Sequence, residues 1–253
     1  MLTLEQSREV ARTAPAEAVM NCRVLYRDKN VSFRVPDNPL PLLAKARVII
    51  PGHRDPELHL GVRTDAPTVS RLATFVFFQL CVSFGFVPMS ADVEAAFLQG
   101  NELQRESGEL YLRQPAEGFP GLEQGQLIRV KKPIFGLAVS PRLWWKTFSK
   151  KVLKLSAQEV QGPCKGQSLT MKQSLFDPAL FTCHSEDNVL RAVMAVHVDD
   201  LLIAVKDETP GLKRAILDLY PYGELKKAQF EYCGKQVSTV FDDCGEVKEI
   251  RTK

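Results

Sequence analysis

Val193-Met194-Ala195-Val196-His197-Val198-Asp199-Asp200-Leu201-Leu202-Ile203-Ala204-Val205 sets two adjacent carboxylates between two apolar, β-branched runs. Each run has the composition of a buried or half-buried strand, and the Asp pair reads as the tight turn joining them. A strand–Asp-Asp–strand hairpin carries two anions at a rigid tip, where a cation relieves their repulsion. Carboxylate oxygens at such a tip suit hard ions such as Mg²⁺, which binds through one or two carboxylates together with substrate phosphates. Asp is also a common turn residue, and plain turn chemistry accounts for the pair taken alone. The rest of the chain bears on the choice.

The chain has 253 residues, 45% hydrophobic and 25% charged, the balance of an ordinary globular protein with length for one large or two small domains. A net charge of +3 identifies no partner by itself. The six cysteines contain no Cys-x-x-Cys, which argues against a zinc knuckle and a dense disulfide framework; free thiols in a reducing compartment are expected. Cys183-His184 lacks a second ligand pair nearby and reads as structural. The N-terminus shows no basic region followed by an apolar core, and no apolar run reaches membrane-spanning length. The expectation is an intracellular protein, cytoplasmic or nuclear, neither secreted nor bound to a membrane.

Outward from the hairpin, several segments carry pattern. Residues 1–19 hold helix formers without strong apolar periodicity and read as a leader, helical or frayed. Met20 to Tyr26 alternates as a strand, with a turn at Asp28-Lys29-Asn30. In Lys45-Ala46-Arg47-Val48 the two cations alternate with apolar residues, so they share one strand face and can reach one phosphate; a solvated face is the other reading. Thr68 to Phe84 has the 3.6-residue stripe of a core helix capped by Thr68. Phe86 to Val93 reads as a strand ending in Asp92, followed by a short helical turn stopped by Gly100. Leu110–Arg113 and Leu127–Lys131 pair as strands, and Ser140-Pro141 opens a helix to about Leu155. Between Arg129 and Lys154 stand eight basic residues and no acidic one, with Trp144 and Trp145 among them. That suits a polyanion track, or simply a solvated face. Gly162 to Gln173 reads as a loop, Thr209 to Leu219 as a helix, Phe230 to Val237 as a closing strand and turn, and 238–253 as a charged tail.

Two-metal phosphoryl transfer needs carboxylates from separate elements converging on two ions. Asp92 at one strand end, with Asp199 and Asp200 at a hairpin tip, supplies that set if the strands are neighbours. Lys45 and Arg47 are candidates for a triphosphate, and the 129–154 stretch for a nucleic-acid backbone.

In this order and spacing the chain resembles the reverse transcriptases of copia-type LTR retrotransposons over roughly residues 20–237. The resemblance rests on Lys45-Ala46-Arg47-Val48, the run from Ala91 to Gly100, Leu112-Arg113-Gln114-Pro115 with Gly118-Phe119, and Phe135-Gly136-Leu137 with Ser140-Pro141-Arg142-Leu143-Trp144. It continues through Asp177-Pro178-Ala179-Leu180-Phe181, His197 to Ala204, and Gly223-Glu224-Leu225 with Gly234. It implies an α+β right-hand polymerase: fingers, an RRM-like palm of antiparallel sheet packed on helices, and a thumb mostly missing. The implied activity is RNA-directed DNA polymerisation, with transfer from a dNTP to a primer 3′-OH on an RNA or DNA template. Asp92, Asp199 and Asp200 become the catalytic and metal-binding triad for two Mg²⁺, with Mn²⁺ as substitute. Lys45, Arg47, Phe97, Phe135 and Gly136 become nucleotide-binding residues, with Phe97 packed under the sugar; alone, Phe97 reads as core. His197, Arg142, Lys146, Tyr232 and Gly234 become primer- and template-binding residues. Integrase and RNase H segments of the same polyprotein are the implied partners, in a cytoplasmic virus-like particle or the nucleus. The chain departs from the family's usual pattern in having His at 197 and Phe at 135 where Tyr is usual, and Ala138-Val139 where Gln or Lys is frequent. The rival readings are an inactive remnant that retains only nucleic-acid binding, a nucleotidyl cyclase with a similar palm, and a plain α/β interaction domain.

Overall fold

The computed structural model describes residues 1–28, 30–31, 34–35 and 37–253. In chain order these form α1 (Leu4–Thr13), β1 (Val19–Asn21), β2 (Arg23–Asp28), β3 (Ala44–Ile49), α2 (Arg71–Phe84) and β4 (Met89–Asp92). There follow β5 (Tyr111–Arg113), β6 (Leu127–Arg129), α3 (Ser140–Leu153), β7 (Ser156–Gln158), β8 (Ser168–Thr170) and β9 (Lys172–Gln173). The remainder comprises β10 (Leu180–His184), β11 (Leu190–His197), β12 (Asp200–Val205), α4 (Pro210–Leu217), β13 (Lys226–Lys227), β14 (Gln229–Tyr232), β15 (Lys235–Phe241) and β16 (Val247–Thr252). Short 3₁₀ turns join several of them, including Ala96–Gln99 after β4. The chain is a mixed α/β protein in two units, each discontinuous in sequence: Met1–Thr64 with Gly100–Leu143, and Asp65–Gln99 with Trp144–Lys253.

The second unit is built on a six-stranded antiparallel sheet in the order β13-β4-β12-β11-β10-β9. Its central strands β11 and β12 are buried along nearly their whole length, which explains why they read as continuous apolar runs and not as alternating ones. On one face, Val193 and Ala195 of β11 and Leu202 and Ala204 of β12 pack against Ala73, Phe77 and Cys81 of α2. Phe181, on β10, lies 6.3 Å from Phe148 of α3. The helix α2 starts two residues later than its sequence suggests. Val69 N–H is taken by the Val196 carbonyl and Ser70 N–H by Asp177, so the cap is Ser70, whose hydroxyl accepts from Ala73 N–H at 3.1 Å. The buried stripe shifts accordingly: Phe78 enters the core, while Leu72 and Phe84 are exposed. Strand β4 is likewise shorter than expected, for it begins only after Pro88, which has no N–H to give to a ladder.

Residues 156–173, read as a loop at 162–173, contain the β7–β8 hairpin and β9. The chain just beyond β7 has a structural task. Buried Glu159 accepts from Gly211 and Leu212 N–H at 3.1 and 2.7 Å, capping α4, whose own N-cap Thr209 makes no side-chain cap bond. Residues 238–253 are not a tail. They complete β15 and form β16 in a three-stranded antiparallel sheet, β14-β15-β16, where Val247 is buried and Ile250 packs on the core with Phe230, Tyr232 and Val237. An edge strand with one wet face needs few apolar residues, so its charge disguised it.

In the first unit, β1 runs parallel to β5 and β5 antiparallel to β6, over a core of Met20, Ile50, Leu110, Leu112, Val130 and Leu137. The single strand expected over Met20–Tyr26 is two. The backbone leaves the ladder at Cys22, whose N–H and thiol both donate to the Arg113 carbonyl, and β2 then pairs with β3. Lys29, at the centre of the turn expected at 28–30, lies outside the described residues. Most of residues 1–19 is helical rather than frayed, as α1 and a 3₁₀ turn at Ala16–Ala18. A Thr3–Gln6 capping box starts α1, and the Ser7 hydroxyl accepts from Leu127 N–H at 2.9 Å. Arg105 donates to both oxygens of buried Asp55, at 3.1 and 2.7 Å, tying residues 55–57 to 105–107. All six cysteines are free.

Candidate active site

The β11–β12 hairpin pairs His197 with Asp200, so its two-residue turn is Val198-Asp199 rather than the Asp pair. Asp200 is already in the strand. Val198 takes φ +60°, while Asp199 has no positive φ, so the bend is concentrated on a β-branched residue where such turns favour glycine. That conformation costs about 1–3 kcal/mol and persists only where surroundings enforce it. Two contacts do so. The buried Trp144 indole N–H donates to the Val198 carbonyl at 2.7 Å, and Val93 N–H donates to the Asp199 carbonyl at 3.0 Å.

Asp92 ends β4 directly opposite Asp200 in the antiparallel register. Such facing residues have Cα atoms about 4.5–5.5 Å apart, a spacing that is unfavourable for like charges. The Asp92 carbonyl is fixed in turn by Gly223 N–H at 2.9 Å. Burial pushes the Asp200 carboxyl above its ordinary value; Asp199, Asp92 and Glu231 push the same way, and His197 pulls back. At the level of the backbone, the neighbouring strands β4 and β12 set Asp92 opposite Asp200, with Asp199 in the adjoining turn. Their donor chemistry, oxygen-only and mutually repelling, fits a hard divalent cation. As the side chains stand, no group of three or more His, Cys, Asp or Glu among the described residues has metal-holding geometry.

His197 faces a cavity of about 470 Å³ shared with Arg71, Phe75, Phe78, Tyr232 and Cys233. Tyr232 and Cys233 come from the β14–β15 hairpin, whose two-residue turn, Cys233-Gly234, has positive φ at both positions as in a type I′ turn. The structure thus brings His197 and Tyr232 to one cavity from strands 35 residues apart in number, with Gly234 in the adjoining turn. Burial raises the Tyr232 phenol well above its ordinary value, so it stays protonated at neutral pH. Phe97, on the 3₁₀ turn after Asp92, is buried.

The first unit gathers the other expected group. Lys45 and Arg47 lie on the half-buried face of β3, and Ala46 and Val48 on the exposed one, the reverse of a solvated basic face. Arg47 stacks over the Phe135 ring at 5.1 Å, and Ile50 N–H donates to the Phe135 carbonyl at 3.2 Å. Gly136, at φ +101°, approaches so closely that a Cβ there would lie 2.1 Å from the Ile50 carbonyl oxygen. Residues 45–50 and 135–136 are therefore one assembly.

The eight-cation stretch divides. Lys146, Lys150 and Lys154 recur every four residues on or just beyond α3 and are exposed, and Arg142 precedes them at the same interval. Lys151 instead lies 3.9 Å over the Tyr220 ring and donates to the Leu219 carbonyl, and Arg129 pairs with Glu109. A charge count alone does not separate these roles. Trp144, to which the sequence reading gives no individual role, proves to contact the carboxylate turn, and Glu231 adds to the acidic surroundings of Asp200.

Fold and site together define a mixed α/β protein whose main antiparallel sheet ends in a strained, carboxylate-bearing hairpin facing a third Asp. The chain is similar to transposon Pol polyproteins. It is 28% identical over 169 residues to the Retrovirus-related Pol polyprotein from transposon TNT 1-94 of Nicotiana tabacum, covering 65% of this chain and 11% of that protein. It is 26% identical over 195 residues to the Retrovirus-related Pol polyprotein from transposon RE2 of Arabidopsis thaliana, covering 76% of this chain and 12% of that protein. No protein-family model matches the chain. No helix among the described residues is long and apolar enough to cross a membrane.

Proposed function

We propose that the chain is the fingers-and-palm part of an RNA-directed DNA polymerase encoded by a copia-type retrotransposon. The observation that carries this reading is the facing register of Asp92 and Asp200 with Asp199 at the adjacent turn, in a chain similar to transposon Pol polyproteins. Asp92, Asp199 and Asp200 are the residues that would hold Mg²⁺ or Mn²⁺. The incoming nucleotide's phosphates would contribute further oxygens, in keeping with the reluctance of Mg²⁺ to be caged by protein alone. Two such ions, when bound, supply activation of the attacking hydroxyl and charge neutralisation at the leaving pyrophosphate.

The protein's own groups bind and orient. Lys45 and Arg47 hold the triphosphate, and Phe135 and Gly136 line its pocket, a role supported by their mutual contacts. Phe97 limits the sugar edge. His197, Tyr232 and Gly234 border the primer terminus, and Arg142 and Lys146 follow the phosphate backbone of an RNA or DNA template. The reaction, attack of the primer 3′-OH on the dNTP α-phosphorus, draws on positioning and charge rather than covalent catalysis. Integrase and RNase H segments of one polyprotein would be neighbours, and the site of action a cytoplasmic particle or the nucleus.

The test is extension of oligo(dT) on poly(rA) with Mg²⁺, the Asp199→Asn protein run beside the unaltered one. Extension lost in the variant is the expected result. Folded protein that fails to extend, or an Asp199→Asn variant that extends equally well, would overturn the reading.

A further inference from the structure

The peptide planes on either side of Asp199 are each pinned by a different element. The Val198 carbonyl and the Asp199 N–H belong to one rigid plane, so the bond from the Trp144 indole fixes ψ of Val198 and φ of Asp199 together. The next plane is held through the Asp199 carbonyl by Val93, beside Asp92. Val198, at φ +60°, is the residue with most to gain by leaving this conformation. Trp144 is itself immobilised, with its ring 5.5 Å from that of Phe148 and 5.0 Å from that of Tyr220.

We infer that Trp144 is a positioning residue: its indole N–H holds the strained Val198-Asp199 turn and so aims the Asp199 carboxylate. The turn-holding part stands on geometry alone; its catalytic consequence rests on the polymerase reading above.

Trp144→Phe keeps an aromatic ring and removes the donor. The chain has two tryptophans, so ¹⁵N spectra show two indole signals, and the one absent in Trp144→Phe belongs to Trp144. That indole proton is expected to exchange with solvent far more slowly than a free indole. In Trp144→Phe the Val198 and Asp199 amide signals should shift or broaden. Primer-extension kcat should fall on the order of 10–100-fold, with the dNTP KM little changed. Adding Val198→Gly, which leaves the turn no strain to release, should restore part of the lost kcat. Phe148→Leu, which thins the same aromatic cluster but keeps the indole donor, should lower the melting temperature and reduce kcat far less than Trp144→Phe does. Free exchange of the Trp144 indole, or unmoved Asp199 signals in Trp144→Phe, would overturn the turn-holding role. Wild-type kcat in Trp144→Phe would overturn the catalytic consequence. An unaltered protein with a protected indole and no extension would instead count against the polymerase reading, so the two failures are told apart on one sample.

Discussion

Asp92 and Asp200 face one another across the β4–β12 pairing, two carboxylates in direct register at the end of a buried sheet. Nothing in strand pairing favours that arrangement, and like charges so placed oppose it. On the polymerase reading the cost is retained because both groups work at the same place. Asp92→Asn and Asp199→Asn should each lower primer extension by at least about 10²–10³-fold while circular dichroism remains native. Retention of more than a tenth of the activity in either would remove that residue from the site.

The Asp200 carboxyl, raised chiefly by burial and then by Asp199 and Asp92, yields a stability test with a definite sign. A carboxyl whose folded-state value exceeds its unfolded one favours the folded state fully below the unfolded value of 3.8, and that contribution is lost as pH rises through the folded value. Asp200→Asn has no charge to acquire. In the absence of divalent ions its melting temperature should therefore gain on the unaltered protein as pH rises from about 4, then hold a constant lead. Added Mg²⁺ at neutral pH should narrow that lead by stabilising the unaltered protein more. A lead independent of pH would contradict the assignment.

Gly136 offers a test of the 45–50 and 135–136 assembly. An alanine there meets the Ile50 carbonyl oxygen at 2.1 Å in a backbone conformation that already disfavours a side chain. Gly136→Ala should cost about 2–4 kcal/mol in urea unfolding of the first unit. A loss under about 0.5 kcal/mol would mean the two segments separate freely.

The division of the basic stretch is measurable through salt dependence. Lys146→Ala and Lys150→Ala should each reduce the slope of log K against log salt for primer–template binding by about 1. Lys151→Ala, which loses its contacts to Tyr220 and Leu219, should leave the slope unchanged and lower the melting temperature. Equal slopes for all three variants would return the helix to a plain solvated face.

The hairpin strands, α2 and α3 were legible because long apolar runs and 3.6-residue stripes survive small errors of boundary. The Asp pair points to a turn one residue beyond the real one: two Asp side chains look like a turn, whereas the bend falls on Val198, whose positive φ no propensity would suggest. Strand β16 was hidden because, beyond Val247 and Ile250, its side chains face solvent. The α2 cap moved from Thr68 to Ser70 through bonds from residues more than a hundred positions away, Asp177 and Val196. Of the site, the carboxylates and the Lys45–Arg47 pair were visible as residue types. The reach of the Trp144 indole to the turn depends on a tertiary contact that pattern does not carry.

Strands β11 and β12 also govern what happens when the protein is not folded. Ala192 to Val196 is an uncharged, β-prone run without proline, hidden only when its neighbouring strands and helices are in place. Laid bare in a nascent or heat-denatured chain, such a run is a nucleus for cross-β aggregation, and the next charge-bearing residues are Arg191 before it and the Asp pair after it. The carboxylates at the hairpin tip thus act as gatekeepers in the unfolded chain, and replacing them with neutral residues should lower the yield of soluble refolded protein.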